Sequence, residues 1–329
     1  MRVSDLVRRH ASACPHEPAL ICRSESLTWG QLDERTDALS ATFAQFGGPG
    51  DRVAIVSGNC HRHWETVFAA SKAALVSVPL NHRWTVDELV GTIADVGAVV
   101  AVVDLGLSHF NAKALVEKLK SIQVFTYGGP HDGADEYEGA IETGRQLPMV
   151  VRTAWPQNVI GFTSGTTGRP RGAVLSQDHA IFSATWMATL MNFRAADCFL
   201  ACMPMYVYRG GSGGLAPMIV GARTVFCDFD ADAVLQAVQR EDVTHMILAP
   251  VMVDRLLASP RVQDVNLSSL REVWVGGAPS SPESIAGLQN LVGDIVGSMY
   301  GGTEATGIAA MRWPPADEQP ELLRSVGRP

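Results

Sequence analysis

Segments with the pattern of buried strands alternate with segments of helical periodicity along most of the chain. Extended segments are predicted at 52–56, 76–80, 98–103, 159–162, 199–203, 246–249 and 272–275. Helices are predicted after Thr28, at 64–74, after Thr85, at 178–192 and from 280–283. Thr28–Gln31 and Thr85–Glu88 have the residues of a capping box, which marks a helix start. Because strands that alternate with helices form mainly parallel sheets covered on both faces, the sequence predicts an α/β protein.

The stretch from Tyr127 to Pro148 interrupts this alternation. It is rich in glycine and acidic residues and lacks periodicity. Two interpretations stay open: the stretch separates two α/β lobes, or it is a long surface loop inside one domain. On the first interpretation, residues 1–150 form one lobe of mainly parallel sheet flanked by helices, and residues 151–329 form the second.

Composition excludes several classes of function. The net charge is −8, with both signs mixed along the chain, whereas nucleic-acid binding usually needs a basic face. The most apolar run, Ala98–Val103, is far too short to span a bilayer, and the charged N-terminus has no signal-peptide core. The six cysteines show neither CxxC pairs nor zinc-ligand spacing. We therefore expect a cytoplasmic protein with no membrane span and no nucleic-acid partner, whose oligomeric state the sequence does not indicate.

The segment Thr163–Gly172 has the strongest chemical signal. It combines four hydroxyl side chains, three glycines and two arginines in one loop after a predicted strand. Glycines let successive backbone N–H groups point into one concavity, and the hydroxyl and guanidinium groups add donors and charge. Such a loop suits a polyphosphate, although it lacks the GxxxxGK[ST] pattern of a Walker loop. The alternative is a flexible polar loop.

At this point the sequence resembles the adenylate-forming, AMP-binding enzymes, which include acyl-CoA synthetases, luciferases and nonribosomal-peptide adenylation domains. The loop is similar to their phosphate-binding signature. Further segments resemble the family's other motifs in the family's order: Gly50–Ile55, Lys72–Asn81, Gly276–Pro279, Tyr300–Glu304 and Ser325–Pro329. The resemblance is greatest to the layered N-terminal domain of an acyl- or aryl-CoA ligase, with the C-terminal lid domain absent from the chain.

The resemblance implies roles for matching residues. Tyr300 would stack on adenine, Gly277 and Ala278 would approach the base edge, and Thr303 would bond the α-phosphate. Glu304 would help hold Mg²⁺, which prefers carboxylate and phosphate oxygens. The full set of implied cofactor-binding residues is Thr163, Ser164, Gly165, Thr166, Thr167, Gly168, Arg171, Gly277, Ala278, Pro279, Tyr300, Gly301 and Thr303. Thr163, Arg171 and Glu304 are the implied catalytic residues, with Glu304 also the metal ligand.

The implied reaction joins a small-molecule carboxylic acid to ATP and then to CoA. The acid's carboxylate attacks the α-phosphate of ATP, and the thiol of CoA then attacks the acyl-adenylate; positioning and charge neutralisation supply the catalysis. No acidic residue lies between Met203 and Cys227, which disfavours an α-amino acid as substrate. Candidate acyl-pocket residues, which alternatively belong to the core, are Tyr206, Val207, Tyr208, Gly213, Gly214, Val275, Gly276, Met299, Gly302, Gly307 and Ile308.

The sequence departs from the family pattern at three points. Arg171 stands where the family usually has lysine, and a forked guanidinium does not replace an ammonium neutrally at a tight phosphate site. Val207 stands where a histidine usually borders the acyl pocket. The chain also ends before the family's ribose-binding aspartate and C-terminal lysine. Arg171 and Val207 motivate an alternative in which the protein uses a preformed acyl-adenylate without making one. For the third departure, we expect slow turnover, and supplying the missing C-terminal part should restore activity.

Two weaker patterns point to other chemistry. Gly210–Gly214 matches the GxSxG motif of serine hydrolases, with Ser212 as nucleophile and His245 the one downstream histidine. His61 and His63 form an HxH pair that suits a metal, but no third ligand with suitable spacing follows. We expect the pair to be the solvated start of a helix.

Overall fold

The computed structural model describes residues 1–163 and 170–328. The chain divides into two compact units. The first unit comprises Met1–Pro18, Leu27–Ile181 and Met205–Tyr208. The second unit comprises Ala19–Ser26, Phe182–Pro204 and Arg209–Pro329. The second unit therefore includes a short segment from near the N-terminus as well as most of the second half of the chain.

Strands and helices alternate through the chain, as predicted. The strands are β1 (Pro18–Cys22), β2 (Glu25–Thr28), β3 (Arg52–Val56), β4 (Val76–Pro79), β5 (Ala98–Asp104), β6 (Gln123–Tyr127), β7 (Asp135–Glu136), β8 (Gln157–Thr163), β9 (Arg171–Ser176), β10 (Cys198–Ala201), β11 (Arg223–Phe226), β12 (His245–Leu248), β13 (Glu272–Gly276), β14 (Val296–Gly302) and β15 (Thr306–Arg312). The helices are α1 (Ser4–Ala13), α2 (Trp29–Phe43), α3 (His61–Lys72), α4 (Val86–Asp95), α5 (Ala112–Lys118), α6 (Tyr137–Arg145), α7 (Gln177–Leu190), α8 (Tyr208–Val220), α9 (Ala231–Arg240), α10 (Pro250–Leu257) and α11 (Pro282–Val292), and a 3₁₀ helix covers Pro320–Arg324.

The first unit is a seven-stranded sheet with helices on both faces, in the order β7-β6-β5-β3-β4-β8-β9. Alternate residues of β5 point to opposite faces, as the twofold period of a strand requires. Val100 and Val102 pack with α2, α3 and α6, whereas Ala101 and Val103 pack with α4 and α5. Both faces are buried, so a central strand is apolar throughout. The last pair, β8 and β9, is antiparallel.

The second unit is built around an eight-stranded sheet in the order β15-β14-β13-β12-β10-β11-β1-β2. The pairs β1–β11, β10–β11, β10–β12, β12–β13 and β13–β14 are parallel. Strand β15 pairs with β14 in the antiparallel direction. Val273 and Val275 of β13 are buried in one core with the apolar sides of α9, α10 and α11. The α/β prediction with mainly parallel sheets is confirmed.

Both predicted capping boxes are present. The Thr28 hydroxyl accepts a hydrogen bond from the Gln31 backbone N–H, and the Gln31 side chain accepts one from the Thr28 N–H. Thr85 and Glu88 make the same reciprocal pair at the start of α4. Each box satisfies two backbone donors that have no partner inside the helix, which fixes the first residue of α2 and of α4.

The stretch from 127 to 148 is neither a linker nor a structureless loop. It contains β7 and α6, and α6 packs on α2 in the first unit. The Thr42 hydroxyl donates to the Ala140 carbonyl at 2.6 Å, and a Cβ at Gly144 would overlap the Ala38 carbonyl. The glycine that suggested a loop is therefore required by close helix packing.

The compact units also depart from the boundary expected after residue 150. Strands β8 and β9 extend the sheet of the first unit, because Val159 of β8 lies in register with Ser77 of β4. The segment predicted to bind phosphate therefore belongs to the first unit and not to the second. Within the described ranges, no helix is both long and apolar enough to cross a bilayer.

A cluster of charged side chains joins three helices of the first unit. Arg35 of α2 contacts the carboxylates of Glu65 on α3 and Glu138 on α6, and Arg62 donates to Glu138 at 3.0 Å. Glu65 is fully buried, and the Tyr137 hydroxyl donates to it at 3.3 Å. Burial alone would lower the pKa of Arg35, but hydrogen bonds and charge from Glu65 and Glu138 outweigh it and raise that pKa. The guanidinium is thus the counter-charge of a buried carboxylate.

The expectation of a solvated histidine pair at the start of α3 is wrong. The His61 and His63 side chains are only 2% and 3% exposed. Nδ1 of His63 lies 2.8 Å from the Ser57 hydroxyl. Burial, and to a smaller extent the charge of His82, lowers the pKa of His63 to about 3. His63 is therefore a neutral core histidine.

This burial predicts a pH dependence of stability. An unfolded histidine titrates near 6.5, so between about pH 6.5 and 3 the unfolded chain binds a proton that folded His63 does not. The stabilisation of the folded state that comes from neutral His63 is complete above pH 6.5. As the pH falls below this value, the free energy of unfolding decreases by up to about 1.4 kcal/mol per pH unit. Urea unfolding at pH 7.0 and 4.5 measures the decrease in the free energy of unfolding between these two pH values. This decrease should be smaller for His63→Gln than for the parent. The exposed His16→Gln is the control, and equal losses in all three proteins would contradict the assignment.

Candidate functional site

The ends of the predicted phosphate-binding segment lie on two antiparallel strands of the first unit, β8 and β9. Thr163 ends β8 and Arg171 begins β9, and the two residues face each other in the antiparallel register. The Thr163 hydroxyl donates to the Arg171 carbonyl at 3.5 Å, and the Arg171 side chain is exposed. Ser164, Gly165, Thr166, Thr167 and Gly168 lie outside the described residues. The two strand ends thus place a threonine and an arginine side by side.

A cavity of about 590 Å³ lies in the second unit, at the carboxyl ends of β13 and β14. This volume is within the roughly 300–1,000 Å³ that small-molecule sites occupy, and strand carboxyl ends are where open α/β sheets bind ligands. The lining residues are Val275, Gly277, Ala278, Pro279, Ser280, Pro282, Ser298, Met299, Tyr300, Gly301, Trp313, Leu323, Arg324, Ser325 and Val326. The cavity therefore brings together the predicted adenine segment and the predicted adenine-stacking tyrosine.

The turn after β13 forms one side of this cavity. Gly277 has a φ of +99°, which L side chains rarely adopt, and a Cβ there would meet no atom within 4 Å. The glycine is needed for the backbone conformation and not for space. Ser281 then caps α11 by accepting a hydrogen bond from the Ser284 N–H, with Pro282 as the first helical residue. The turn therefore lies directly before a helix start.

The last described residues form the opposite side. The Trp313 indole donates to the Ser325 carbonyl at 3.1 Å, and the Ala310 N–H donates to the Arg328 carbonyl at 3.2 Å. Gly327 has a φ of +99°, and a Cβ there would overlap the Ala310 backbone. These contacts hold the segment resembling the family's Val-Gly-x-Pro motif against β15.

The hairpin of β14 and β15 carries the predicted adenine and metal residues. Met299 is buried, but the Tyr300 side chain is 51% exposed beside the cavity and is available for stacking. The register shifts between Tyr300 and Gly301, and Thr303 and Glu304 lie in the turn. A Cβ at Gly302 would lie 3.7 Å from Oε2 of Glu304, whose side chain is exposed.

These residues suit a nucleotide and its metal. An exposed aromatic ring, serine hydroxyls and backbone groups surround a cavity of suitable size, and a carboxylate stands at the end of the same strand pair. In the described ranges, no three His, Cys, Asp or Glu side chains group as a complete metal site. Mg²⁺ is usually held by one or two carboxylates together with substrate phosphates, which matches a single Glu304.

The predicted acyl-pocket residues are divided between the two units. Val275, Gly276, Met299, Gly302 and Gly307 lie on β13, β14 and β15, and Val275 and Met299 line the cavity. Gly213 and Gly214 lie in α8. Tyr206 and Val207 belong to the first unit. The Tyr206 ring meets the His82 ring edge-on at 5.0 Å between centroids, and Val207 is 36% exposed.

The serine-hydrolase alternative has no support from His245. Its ring is fully buried, with Nε2 2.9 Å from the Met191 carbonyl and Nδ1 2.7 Å from the Thr244 hydroxyl. The ring also stacks on Phe193 at 4.1 Å between centroids. His245 is therefore a core residue of β12. The Ser212 side chain lies outside the described residues.

Several cavity residues were not predicted from the sequence. Ser298 lies two residues before Tyr300 on the same strand, so strand periodicity was a usable signal. Trp313, Leu323 and Arg324 had no such signal, because they reach the cavity only after the chain reverses beyond β15. The candidate site thus includes residues that lie outside the sequence motifs.

Comparison with known proteins decides the family. The family model described as AMP-binding enzyme matches residues 7–329. The chain belongs to the AMP-binding enzyme family. The family resemblance seen in the sequence motifs is confirmed, and residues from three of those motifs line the cavity beside Tyr300.

Among family members, the chain is 30% identical along its whole length to an indoleacetate–CoA ligase of Aromatoleum aromaticum, of which it covers 64%. It is 31% identical over 82% of its length to a feruloyl-CoA synthase of an Amycolatopsis species, covering 53% of that protein. The structure of an amide bond synthetase from Marinactinospora thermotolerans matches all of the chain at 29% identity with a TM-score of 0.85, over 65% of that protein. The chain therefore spans about half to two thirds of the length of these relatives.

Proposed function

We propose that this chain is the large domain of an AMP-forming acyl- or aryl-CoA ligase. The observation that carries the proposal is the cavity between the Gly277–Pro279 turn and the exposed Tyr300 ring, in a chain of the AMP-binding family. Two relatives carry names of CoA ligases for aromatic acids, namely indoleacetate and ferulate. The proposed substrates are ATP, CoA and a non-amino-acid carboxylate, with an aryl group as the favoured acyl class. ATP and CoA are cytoplasmic metabolites, so the proposed reaction belongs in the cytoplasm.

The second unit would bind the nucleoside. The Tyr300 ring offers a flat apolar face, and the backbone of Gly277 and Ala278 can reach the edge of a base without a side chain intervening at position 277. Thr303 and Glu304 follow on the same hairpin, which suits contacts to the α-phosphate and to Mg²⁺. The metal would neutralise charge on the phosphate oxygens.

The strand ends of β8 and β9 carry groups that suit phosphate binding. Thr163 supplies a hydroxyl and Arg171 an exposed guanidinium, which can bond two phosphate oxygens at once. The carboxylate of the acid would attack the α-phosphate and displace pyrophosphate. The CoA thiol would then attack the acyl-adenylate carbonyl and release AMP. The chain's residues act in this scheme by positioning the reactants and stabilising negative charge.

The proposal is tested by ATP–pyrophosphate exchange with a panel of aryl, fatty and amino acids. Exchange with one or more aryl acids, and thioester formation when CoA is added, is the expected result. Thioester formed only from a supplied acyl-adenylate would replace the proposal with the half-reaction alternative motivated by Arg171 and Val207. Neither exchange nor thioester formation would overturn both.

A further inference from the structure

The indole of Trp186 covers Gly307. Trp186 lies on α7 and Gly307 on β15, both in the second unit. A Cβ at position 307 would overlap Cη2, Cζ3 and Cζ2 of the indole, so the six-membered ring occupies the space that any other residue's side chain would need. The ring is in direct contact with the bare backbone of β15.

This contact lies one strand from the cavity. Gly307 is paired in register with Gly301 of β14, and Gly301 and Tyr300 line the cavity. The next residue, Ile308, has 45% of its side chain exposed. Glycines at 301, 302 and 307 leave these three positions of the hairpin without side chains, and the Trp186 ring occupies the space beside position 307.

Trp186 stands at the margin of the helix's buried face. Ala184, Met187, Ala188 and Met191 are all under 9% exposed, whereas Trp186 is only partly buried. Trp186 therefore keeps some accessible surface while its ring lies against the backbone of Gly307.

We propose that Trp186 determines the size of acyl group that the protein accepts, by closing the space beside Gly307. The inference rests on the proposed acyl-adenylate function. The accepted acids are aryl acids with a single short ring system, and longer ones are excluded by contact with the indole. Trp186 is a specificity-determining residue in this scheme and takes no part in the chemical steps.

The test compares two stable sulfamate analogues of acyl-adenylates, phenylacetyl- and biphenylacetyl-sulfamoyladenosine, by calorimetry on the full chain. The parent should bind the smaller analogue more tightly. Trp186→Ala should shift the affinity ratio toward the biphenyl analogue by about tenfold or more, which is the scale of hydrophobic size discrimination. Met187→Ala removes a buried side chain from the same helix and should leave the ratio unchanged while lowering stability.

A reciprocal pair of variants tests the same contact without deleting the ring. Gly307→Ala should weaken binding of both analogues, because its Cβ overlaps the indole. Adding Trp186→Phe to Gly307→Ala should recover binding of the phenylacetyl analogue, since the smaller ring leaves room for one methyl group. If the two substitutions lower the binding affinity additively in the double variant, the contact between residues 186 and 307 is not the cause of the weaker binding.

The outcomes separate the two levels of the proposal. An unchanged affinity ratio in Trp186→Ala, with the parent binding an analogue, would overturn the role of Trp186 alone. The same ratio shift in Met187→Ala would also overturn it, by assigning the effect to loss of packing. A parent chain that binds neither analogue and exchanges no pyrophosphate would overturn the proposed function and this inference together.

Discussion

Glu304→Gln is expected to lower the rate of ATP–pyrophosphate exchange by about 100-fold or more. The substitution keeps the size of the side chain and its place in the β14–β15 turn, but it removes the carboxylate charge that would hold Mg²⁺. Metal-ion stabilisation of phosphoryl charge is worth several kcal/mol, and each 1.36 kcal/mol corresponds to about a tenfold change in rate. The measurement is exchange at saturating acid over a range of Mg²⁺ concentrations.

The control is Glu318→Gln, which removes the same charge from another exposed position outside the lining of the cavity. It should leave the exchange rate within about twofold, since a distant surface charge is screened at ordinary salt. Higher Mg²⁺ should restore part of the Glu304→Gln activity. Exchange at the parental rate in Glu304→Gln would contradict the assignment of Glu304 as a metal ligand. An equal decrease of the exchange rate in Glu318→Gln would contradict it as well.

Arg35→Met is expected to lower the free energy of unfolding by about 3–5 kcal/mol, which is the usual effect of removing one partner from a buried ion pair. Glu65 is fully buried, and its remaining described hydrogen bond would come from the Tyr137 hydroxyl. Methionine retains the volume of the side chain, so the loss would come from the uncompensated carboxylate and not from a cavity. Urea unfolding followed by circular dichroism measures the change.

Arg145 supplies a matched control in the same region. Arg145 pairs with Glu34 at 3.2 Å and with Glu142, but all three side chains are at least 40% exposed. Arg145→Met should therefore cost less than about 1 kcal/mol. The double variant Arg35→Met, Glu65→Gln should recover part of the stability lost in Arg35→Met. Similar losses in Arg35→Met and Arg145→Met would show that Glu65 does not depend on its counter-charge.

Local signals in the sequence predicted much of the fold, because they depend on residues close together in the chain. Thr28 and Thr85 start helices through contacts three residues away, and the apolar run at 98–103 is a central strand because both of its faces are covered. Prediction failed for α6, where Gly144 indicates a loop by propensity but is required by packing on Ala38. Tertiary packing here overrides the local preference of glycine for loops. A short window of sequence does not contain the packing partner, so local patterns do not predict this contact.

The same distinction applies to the candidate site. Gly277–Pro279 and Tyr300 were predicted from motifs, and both line one cavity. Trp186 was not predicted, because its proposed role depends on contact with Gly307 on a strand that is distant in sequence. The buried pair His61 and His63 was also misjudged, since a polar residue type gives no local sign that a helix start is covered by other elements.

Strand β1 has a consequence for synthesis of the chain. Its residues pair with β11, so Leu20 meets Thr224 only after about 200 further residues have been synthesised. Until then β1 can pair with β2 in this sheet, but its other edge is unpaired. Unpaired strand edges favour association with other chains. The second unit can therefore complete its sheet only late, whereas the strands of the first unit from β3 to β9 become available in an unbroken run.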